Sequence, residues 1–336
     1  MKILGIETSC DETSASVVEN GWRVLSNVVA SSMKDHQKFG GIIPEIASRR
    51  QLEFIQMVVM KALEDAGMRL KDIDAVAVTR QPGLVGSLLV GISFANSLSF
   101  ALGKPLILVD HIRAHVYANY LVKKKTGRER PLFKKLPLPA VGLVVSGGHS
   151  SLFMIRDFSD FKVFGETRDD AAGEAYDKVA RILNLGYPGG PVIDRLARGV
   201  RENPLRFPSA ALEGSHDFSF SGLKTAVLYY LQKNQGKKDF SLEHVVHAFQ
   251  ESVVRVLVEK SLEACRRKKV GTLLVGGGVA ANSSLRARLE EAARKSGVTV
   301  SFPSLDLCMD NAAMIAGLAY HKRAGEVRSP KKTCLC

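Results

Sequence analysis

Residues 2–7 (Lys-Ile-Leu-Gly-Ile-Glu) form an apolar run that predicts a buried strand, and the run stops at a polar stretch, Thr8-Ser9-Cys10-Asp11-Glu12-Thr13-Ser14. Alternating and β-branched positions predict two further strands, 15–19 and 22–30, joined across Asn20-Gly21. That dipeptide tolerates the left-handed backbone of a tight hairpin turn. A helical period then covers 44–66, with Pro44 in its first turn and Gly67 just beyond its end. A buried strand at 75–79 leads through a glycine-rich link, 81–87, to a helix at 87–102 that closes at Gly103. A short Pro-led strand, 105–110, ends this first series.

The same grammar restarts after Pro139. Strand 140–145 ends in Ser146-Gly147-Gly148-His149, strands 151–156 and 161–166 follow, and a helix covers 171–183. Later come a helix at 242–267, a strand at 272–275, a glycine turn, a helix at 284–295, a strand at 299–302 and a last helix from Asn311. Both halves show three meandering strands with a polar or glycine loop after the first, then alternating helices and strands. The pattern predicts an α/β protein with an internal duplication. Two segments break it. Residues 123–135 carry Lys123, Lys124, Lys125, Arg128, Arg130, Lys134 and Lys135 against Glu129 alone, and read as a mobile connector. Residues 186–236 read as a loop-rich insertion that shapes a site.

With 336 residues the chain is long enough for two domains, and 46% hydrophobic content supports a proper core. The net charge of +13 points to a polyanionic partner, nucleic acid first, although solubilising lysine gives the same excess. The five cysteines, Cys10, Cys265, Cys308, Cys334 and Cys336, form no paired C-x-x-C clips, as expected in a reducing compartment. No hydrophobic leader precedes Glu7 and no apolar run is expected to reach transmembrane length, so a cytoplasmic protein without membrane partners is expected.

Candidate chemistry centres on Asp110-His111-Ile112-Arg113-Ala114-His115. On a helix, His111 and His115 lie about 40° apart around the axis and roughly 6 Å apart along it, so both imidazoles share a face. Two neutral nitrogens there can grip one transition metal. Among eight histidines such a pair also arises by accident. A third ligand must come from elsewhere; Asp310 precedes the last helix, where an aspartate equally serves as a cap. The loops Thr8–Ser14 and Ser146–His149 suit phosphate oxygens, and Gly276-Gly277-Gly278 before Asn282 suits an adenine or ribose. Turns are rich in Ser and Gly for structural reasons as well. Asp177 and Asp194 are candidates for ribose hydroxyls, or for solvated and capping roles. Together the three loops predict a nucleotide-binding enzyme without naming its reaction.

Several stretches taken together carry a resemblance. Glu7-Thr-Ser-Cys-Asp-Glu-Thr-Ser14, the His111/His115 pair, Val145-Ser-Gly-Gly-His149, Asp169-Asp-Ala-Ala-Gly-Glu-Ala175 and Gly276-Gly-Gly-Val-Ala-Ala-Asn282 closely resemble the tRNA threonylcarbamoyladenosine transferase family over roughly 2–324. The resemblance implies a two-lobed actin-like ATPase fold, of the sugar kinase, Hsp70 and actin type, with a duplicated ββαβα-type core, insertions, and a nucleotide cleft. The implied layout is an N-terminal lobe at 1–105, a metal-ligand helix and basic connector at 106–138, a C-terminal lobe at 139–323 with its insertion at 186–236, and a basic flexible tail at 324–336. The implied reaction moves a threonylcarbamoyl group from threonylcarbamoyl-adenylate to N6 of adenosine 37 in tRNAs reading codons that begin with A, with release of AMP. His111, His115 and Asp310 would bind one divalent metal per subunit, Fe(2+) or Zn(2+). Val145, Ser146, Gly147, Gly148, His149, Asp177, Gly190, Asp194 and Asn282 would hold the adenylate. No catalytic residue is assigned. Asp11 and Glu12 are candidates as partners of the departing phosphate or of the amine, or else only order their turn. The implied partners are tRNA, an inert paralogous subunit and a small P-loop ATPase.

Three rivals remain. A metalloprotease would place a general-base Glu after the first histidine, as H-E-x-x-H, whereas Ile112 stands there. A small-molecule kinase or acyltransferase of the same fold would leave the histidine pair and the basic excess idle. A non-catalytic scaffold would have no need of a full set of metal and nucleotide positions.

Overall fold

The computed structural model describes residues 1–124, 130–133, 135–200, 202–208, 214–322 and 327–328. Lys125, Arg128, Glu129 and Lys134 of the basic connector, and Cys334 and Cys336 of the tail, lie outside the described residues. The chain divides into two compact units, Met1–Pro137 with Pro303–Cys336, and Leu138–Phe302.

In the first unit, β1 (Lys2–Glu7), β2 (Glu12–Glu19) and β3 (Arg23–Ser31) form an antiparallel meander. Asn20 (φ 52°) and Gly21 (φ 78°) make the expected left-handed turn. A short helix, α1 (Met33–Gln37), precedes α2 (Pro44–Ala66), which stops at left-handed Gly67. Then come β4 (Ala75–Gln81), α3 (Val85–Leu102) with left-handed Gly103 as its cap, β5 (Leu106–Asp110), α4 (His111–Tyr117) and β6 (Val122–Lys123). The second unit contains β7 (Ala140–Val145), β8 (Ser150–Asp157), β9 (Asp160–Glu166), α5 (Ala172–Ile182), α6 (Gly189–Ala197) and α7 (Ser221–Asn234). It continues with α8 (Leu242–Lys268), β10 (Thr272–Gly276), α9 (Ser283–Lys295) and β11 (Thr299–Ser301). The chain then returns to the first unit with α10 (Leu305–Cys308) and α11 (Ala312–Ala319).

The duplication is visible in the sheets. The first contains the order β5-β4-β1-β2-β3 and the second is β11-β10-β7-β8-β9, each an antiparallel meander flanked by two parallel strands. Strand parity decides what faces what. Leu4, Ile6, Ala15, Val17, Val76 and Val78 join Ile55, Val59 and Ala62 of α2 in one core. The alternate positions, among them Gly5, Glu7, Glu12, Ser14 and Thr79, fall on the opposite face, where α11 packs on β1, β2 and β4. A Cβ at Gly5 would lie 2.9 Å from that of Ala316 and would also strike the Ala312 carbonyl, so α11 sits directly on the β1 backbone.

Several expectations are corrected. β2 starts at Glu12, because Glu12, Thr13 and Ser14 pair with Ser31, Ala30 and Val29, so the polar loop is shorter than its composition suggested. The insertion at 186–236 is not loop-rich throughout: it holds α6 and α7, the latter anchored by buried Leu223, Val227 and Leu231 at helical spacing. By contacts, 106–137 group with the first unit, and 303–322 join it, with the small residues of α11 packed on β1, β2 and β4. In the tail, Val327 and Arg328 pair antiparallel with Ile107 and Leu106. Finally, α3 is 18 residues long with a mean hydropathy of 1.7, so by length and composition it could cross a membrane. Its polar positions are uncharged Ser and Asn, which hardly lower the hydropathy. Ser87, Gly91, Ala95 and Ser99 nevertheless form a buried face against the first unit's core.

Candidate active site

β5 ends at Asp110, whose carboxylate accepts the Arg113 backbone N–H at 3.0 Å and caps α4. The helix therefore starts at His111, and one turn later His115 lies on the same face. The two Nε2 atoms are 3.2 Å apart. Asp310 arrives from the α10–α11 link, with Oδ1 3.4 Å from His111 Nε2 and 3.1 Å from His115 Nε2. Capping of α11 does not occupy Asp310, because Asn311 takes that role by accepting the Met314 N–H at 3.1 Å. The ligand atoms of His111, His115 and Asp310 all lie within 4.8 Å of one another.

The donor set fits a divalent transition metal. Two imidazoles and one carboxylate converge through lone-pair atoms, and open positions would remain for substrate oxygens. Without a cation the atoms share protons instead. Burial pushes His111 down, but the Asp310 and Glu7 carboxylates outweigh it and raise its pKa well above the usual imidazole value. Burial likewise opposes ionisation of Asp310, yet the His111 and His115 rings hold its carboxyl far below the ordinary range. Burial lowers the pKa of His115. Behind the triad, His111 Nδ1 lies 2.9 Å from Glu7 Oε2 and 3.2 Å from Ser9 Oγ, whereas buried His115 Nδ1 has no hydrogen-bond partner among the described residues.

The loop after β1 runs beside this triad, and its carbonyls are spoken for. Ser9 O accepts from Leu84 N, Cys10 O from Gln51 Nε2 and Ser87 Oγ, and Asp11 O from Ser32 N and Oγ. Asp11 and Glu12 are both buried. Burial first, then the Asp310 and Asp11 charges, raises the Glu12 pKa well above the usual carboxyl value. Asp11 Oδ2 is buried without a partner among the described residues.

The second unit gathers the residues expected at an adenylate. Ser146 N donates to His149 O at 2.8 Å and closes a tight turn, in which Gly147 and Gly148 face open space. At Gly277, with φ 92°, a Cβ would stand 2.8 Å from the Val145 carbonyl carbon, so glycine is what lets this loop press against the end of β7. Asp177 accepts the Gly189 N–H at 2.7 Å, tying α5 to the first turn of α6, and burial raises its pKa. Gly190 has nothing within 4 Å of a prospective side chain. Asp194 accepts from Ser283 Oγ at 2.7 Å and from Arg198 Nη2 at 2.6 Å. Asn282 accepts the Leu285 N–H at 2.9 Å, capping α9, and donates to Gln250 Oε1 at 2.8 Å. All of these residues lie in the second unit: α6, which carries Gly190 and Asp194, is tied to Asp177 of α5 and to Ser283 beside Asn282, and the end of β7 at Val145 meets the loop of Gly277. The partners that sequence reasoning missed are Glu7, Ser9 and Thr79 around His111, and Gln250, Ser283 and Arg198 in the second unit. Gln250 alone carried a signal, as a polar residue on the apolar stripe of α8.

Ile112 is buried, and no acid follows His111 to serve as the base of a zinc protease. The model of the tRNA N6-adenosine threonylcarbamoyltransferase family matches residues 23–317. Proteins of that name from Clostridium botulinum (strain 657 / Type Ba4) and Clostridium kluyveri (strain NBRC 12016) are 51% identical to this chain, covering 95% of it and 92% of each relative. One from Clostridioides difficile (strain 630) is 48% identical, with the same coverage. Among solved structures, HypF of T. kodakarensis superposes with a TM-score of 0.61 at 14% identity, covering 95% of this chain and 47% of that one. Component A of the Acidaminococcus fermentans (R)-2-hydroxyglutaryl-CoA dehydratase gives 0.55 at 15% identity, covering 95% and 98%. At such identity these similarities speak for the fold, which is that of the actin-like ATPases.

The open space at Gly190 gives a direct test of the adenylate pocket. Gly190→Leu is expected to leave the melting temperature nearly unchanged and to weaken AMP binding by at least about tenfold, equivalent to about 1.4 kcal/mol. Isothermal titration calorimetry checks it, and unchanged affinity would remove Gly190 from the site.

Proposed function

The chain belongs to the tRNA N6-adenosine threonylcarbamoyltransferase family, and from that premise we propose that it transfers the threonylcarbamoyl group of threonylcarbamoyl-adenylate to N6 of adenosine 37 in tRNAs reading codons that begin with A. The convergence of His111, His115 and Asp310 within 4.8 Å is the observation that supports this reading over a kinase of the same fold, which would leave the triad idle. In the reaction, the N6 lone pair forms a bond to the carbamoyl carbon. The bond from that carbon to the phosphate oxygen breaks, AMP takes the electron pair, and N6 loses a proton. The N6 amine is conjugated with the purine and is a weak nucleophile, so placement contributes more than a strong base.

In this reading the Val145–His149 turn takes the phosphate through backbone N–H groups, Asp177 and Asp194 accept ribose hydroxyls, Gly190 leaves room for the nucleoside, and Asn282 fixes the start of α9. His111, His115 and Asp310 hold one divalent cation per subunit, Fe(2+) in our reading, with Zn(2+) suiting the same donors. Once bound, the cation supplies Lewis-acid polarisation to an oxygen of the donor. Glu12, its pKa raised by burial and by its acidic neighbours, donates a hydrogen bond to the departing phosphate, and Asp11 Oδ2, without a partner among the described residues, accepts one from the amine.

tRNA is the partner that the basic excess fits. Lys123, at the start of the basic connector, is paired with Asp306 inside the first unit, so not every charge of that run is free. Arg266, Arg267, Lys268 and Lys269 end α8, about 24 Å along the helix axis from Gln250. They lie before β10, whereas the glycine loops follow β7 and β10, so they fit a remote part of a long nucleic acid. For the inert paralogous subunit, the outer faces of α2 and α3 offer an apolar surface: Val85, Leu89 and Phe100 are 75%, 56% and 73% exposed, and Leu52 is 65% exposed. A paralogue of the same fold carries the same helix pair and can meet this face pseudo-symmetrically. A small P-loop ATPase completes the proposed assembly, and the cytoplasm is its proposed location.

Four outcomes check these readings. His111→Ala or Asp310→Ala should abolish formation of the threonylcarbamoyl nucleoside, measured by mass spectrometry of digested tRNA, while tRNA binding survives; Asp11→Asn should slow it in the same assay. Full modification by the His111 or Asp310 variants would end the metal reading. Changing Arg266, Arg267, Lys268 and Lys269 to Gln should flatten the salt dependence of tRNA affinity by roughly 0.7 to 0.9 logarithmic units of slope for each phosphate no longer neutralised. Leu89→Asp should leave the monomer folded and prevent co-elution with the paralogous subunit; co-elution as in the wild type would move the docking surface elsewhere.

A further inference from the structure

We infer that Glu7 is a positioning residue for His111: it fixes which ring nitrogen faces the cation and ties the metal helix to the loop after β1. The inference rests on the reading of His111, His115 and Asp310 as a metal site.

Glu7 is fully buried at the end of β1, on the face turned towards α4 and α11. Its two oxygens take three partners. Oε1 accepts the Ser9 backbone N–H at 2.5 Å, and Oε2 accepts the Thr79 hydroxyl and faces His111 Nδ1 at 2.9 Å. Among the described residues, His111 is its only ion-pair partner. With Nδ1 engaged by Glu7, Nε2 is the ring nitrogen left to face the cation, beside Asp310 Oδ1. A histidine that ligates through Nε2 keeps its single proton on Nδ1, which is the form this contact selects. His115 has no such support, since its buried Nδ1 lacks a partner among the described residues. The site is therefore built asymmetrically: a carboxylate engages Nδ1 of His111, whereas His115 is engaged at Nε2 alone, by Asp310 and His111.

The same carboxylate couples two elements. Through Oε1 it holds Ser9, which begins the segment containing Asp11 and Glu12, and through Oε2 it holds the first residue of α4. Strand parity puts Thr79 of β4 beside it, so the carboxylate is gripped from three elements and has little freedom to turn.

Glu7→Gln tests the assignment because it keeps shape and removes one acceptor. The Ser9 N–H can only donate, so the amide oxygen must stay with it. The amide NH2 then faces Thr79 and His111. The Thr79 hydroxyl can rotate and accept, but the NH2 opposes the Nδ1–H of His111, so the ring either turns that donor to Ser9 Oγ, 3.2 Å away, or moves its proton to Nε2, and both disturb the ligand set at Nε2. Metal-free Glu7→Gln protein should melt close to the wild type, and its Zn(2+) affinity, measured by competition with a chromogenic chelator, should fall about 10- to 100-fold. The visible spectrum of Co(2+) at the site should change in parallel. Asp310→Ala serves as the control. If Asp310→Ala loses Zn(2+) while Glu7→Gln binds it like the wild type, the role of Glu7 is overturned and the metal site stands. If Asp310→Ala also binds like the wild type, the metal-site reading itself fails. A lower melting temperature with unchanged affinity of the folded protein would make Glu7 merely structural. Should Glu7→Gln not fold, Glu7→Asp keeps the charge but withdraws it from Nδ1, and it should weaken Zn(2+) binding in the same direction; unweakened binding would again overturn the inference.

Discussion

At Gly5 the backbone of β1 and the first turn of α11 meet with no room for a side chain. The rest of the first unit's chemistry depends on that contact. The opposing positions on β2 and β4 are small or polar as well, Ser14, Ser16 and Ala77, and Ser14 Oγ accepts the Ala312 N–H at 2.9 Å. The N-terminus of α11 is thereby pinned on the sheet within reach of the end of β1. Asn311 satisfies the helix start, and Asp310, one residue earlier, is left to turn towards α4. A bulkier residue at position 5 would lift α11 and draw Asp310 away from the histidines.

Charge accounts for much of what surrounds that contact. Glu7, Asp11, Glu12 and Asp310 are gathered with, among the described residues, only His111 and His115 as possible cations nearby, and burial makes each uncompensated charge expensive. In the metal-free protein the Asp310 and Glu7 side chains raise the pKa of His111 against its burial, and burial with the acidic neighbours raises that of Glu12. A divalent cation would relieve the same imbalance without added protons, which is the physical reason a metal belongs there. The second unit solves a different problem. Its loops offer glycine backbone, open space and capped helix starts, with Asp177 and Asp194 already engaged by neighbours. Those features suit an anion and its sugar rather than a cation. One strand order, used twice, thus presents two unlike sets of side chains, because the loops at the strand ends differ while the sheets do not.

Much of this was legible along the chain. The hairpin at Asn20-Gly21, the glycine stops at Gly67 and Gly103, the paired meanders and the helical spacing of His111 and His115 depend on local backbone preference and short periods, which neighbouring residues specify by themselves. The helices α6 and α7 were hidden because glycine, proline and serine around them resemble loop composition, although Leu223, Val227 and Leu231 keep a helical period. The exposed apolar face of α3 escaped notice because its interrupting residues are uncharged.

What only the tertiary structure decided was partnership over long separations. That Asp310 meets two histidines some two hundred positions earlier, that Asn311 and not Asp310 caps α11, and that residues 303–322 rejoin the first unit all follow from how α11 packs on β1. The support of His111 by Glu7 follows from strand parity combined with the placement of α4. Local preference sets which residues share a face; only packing decides which faces meet.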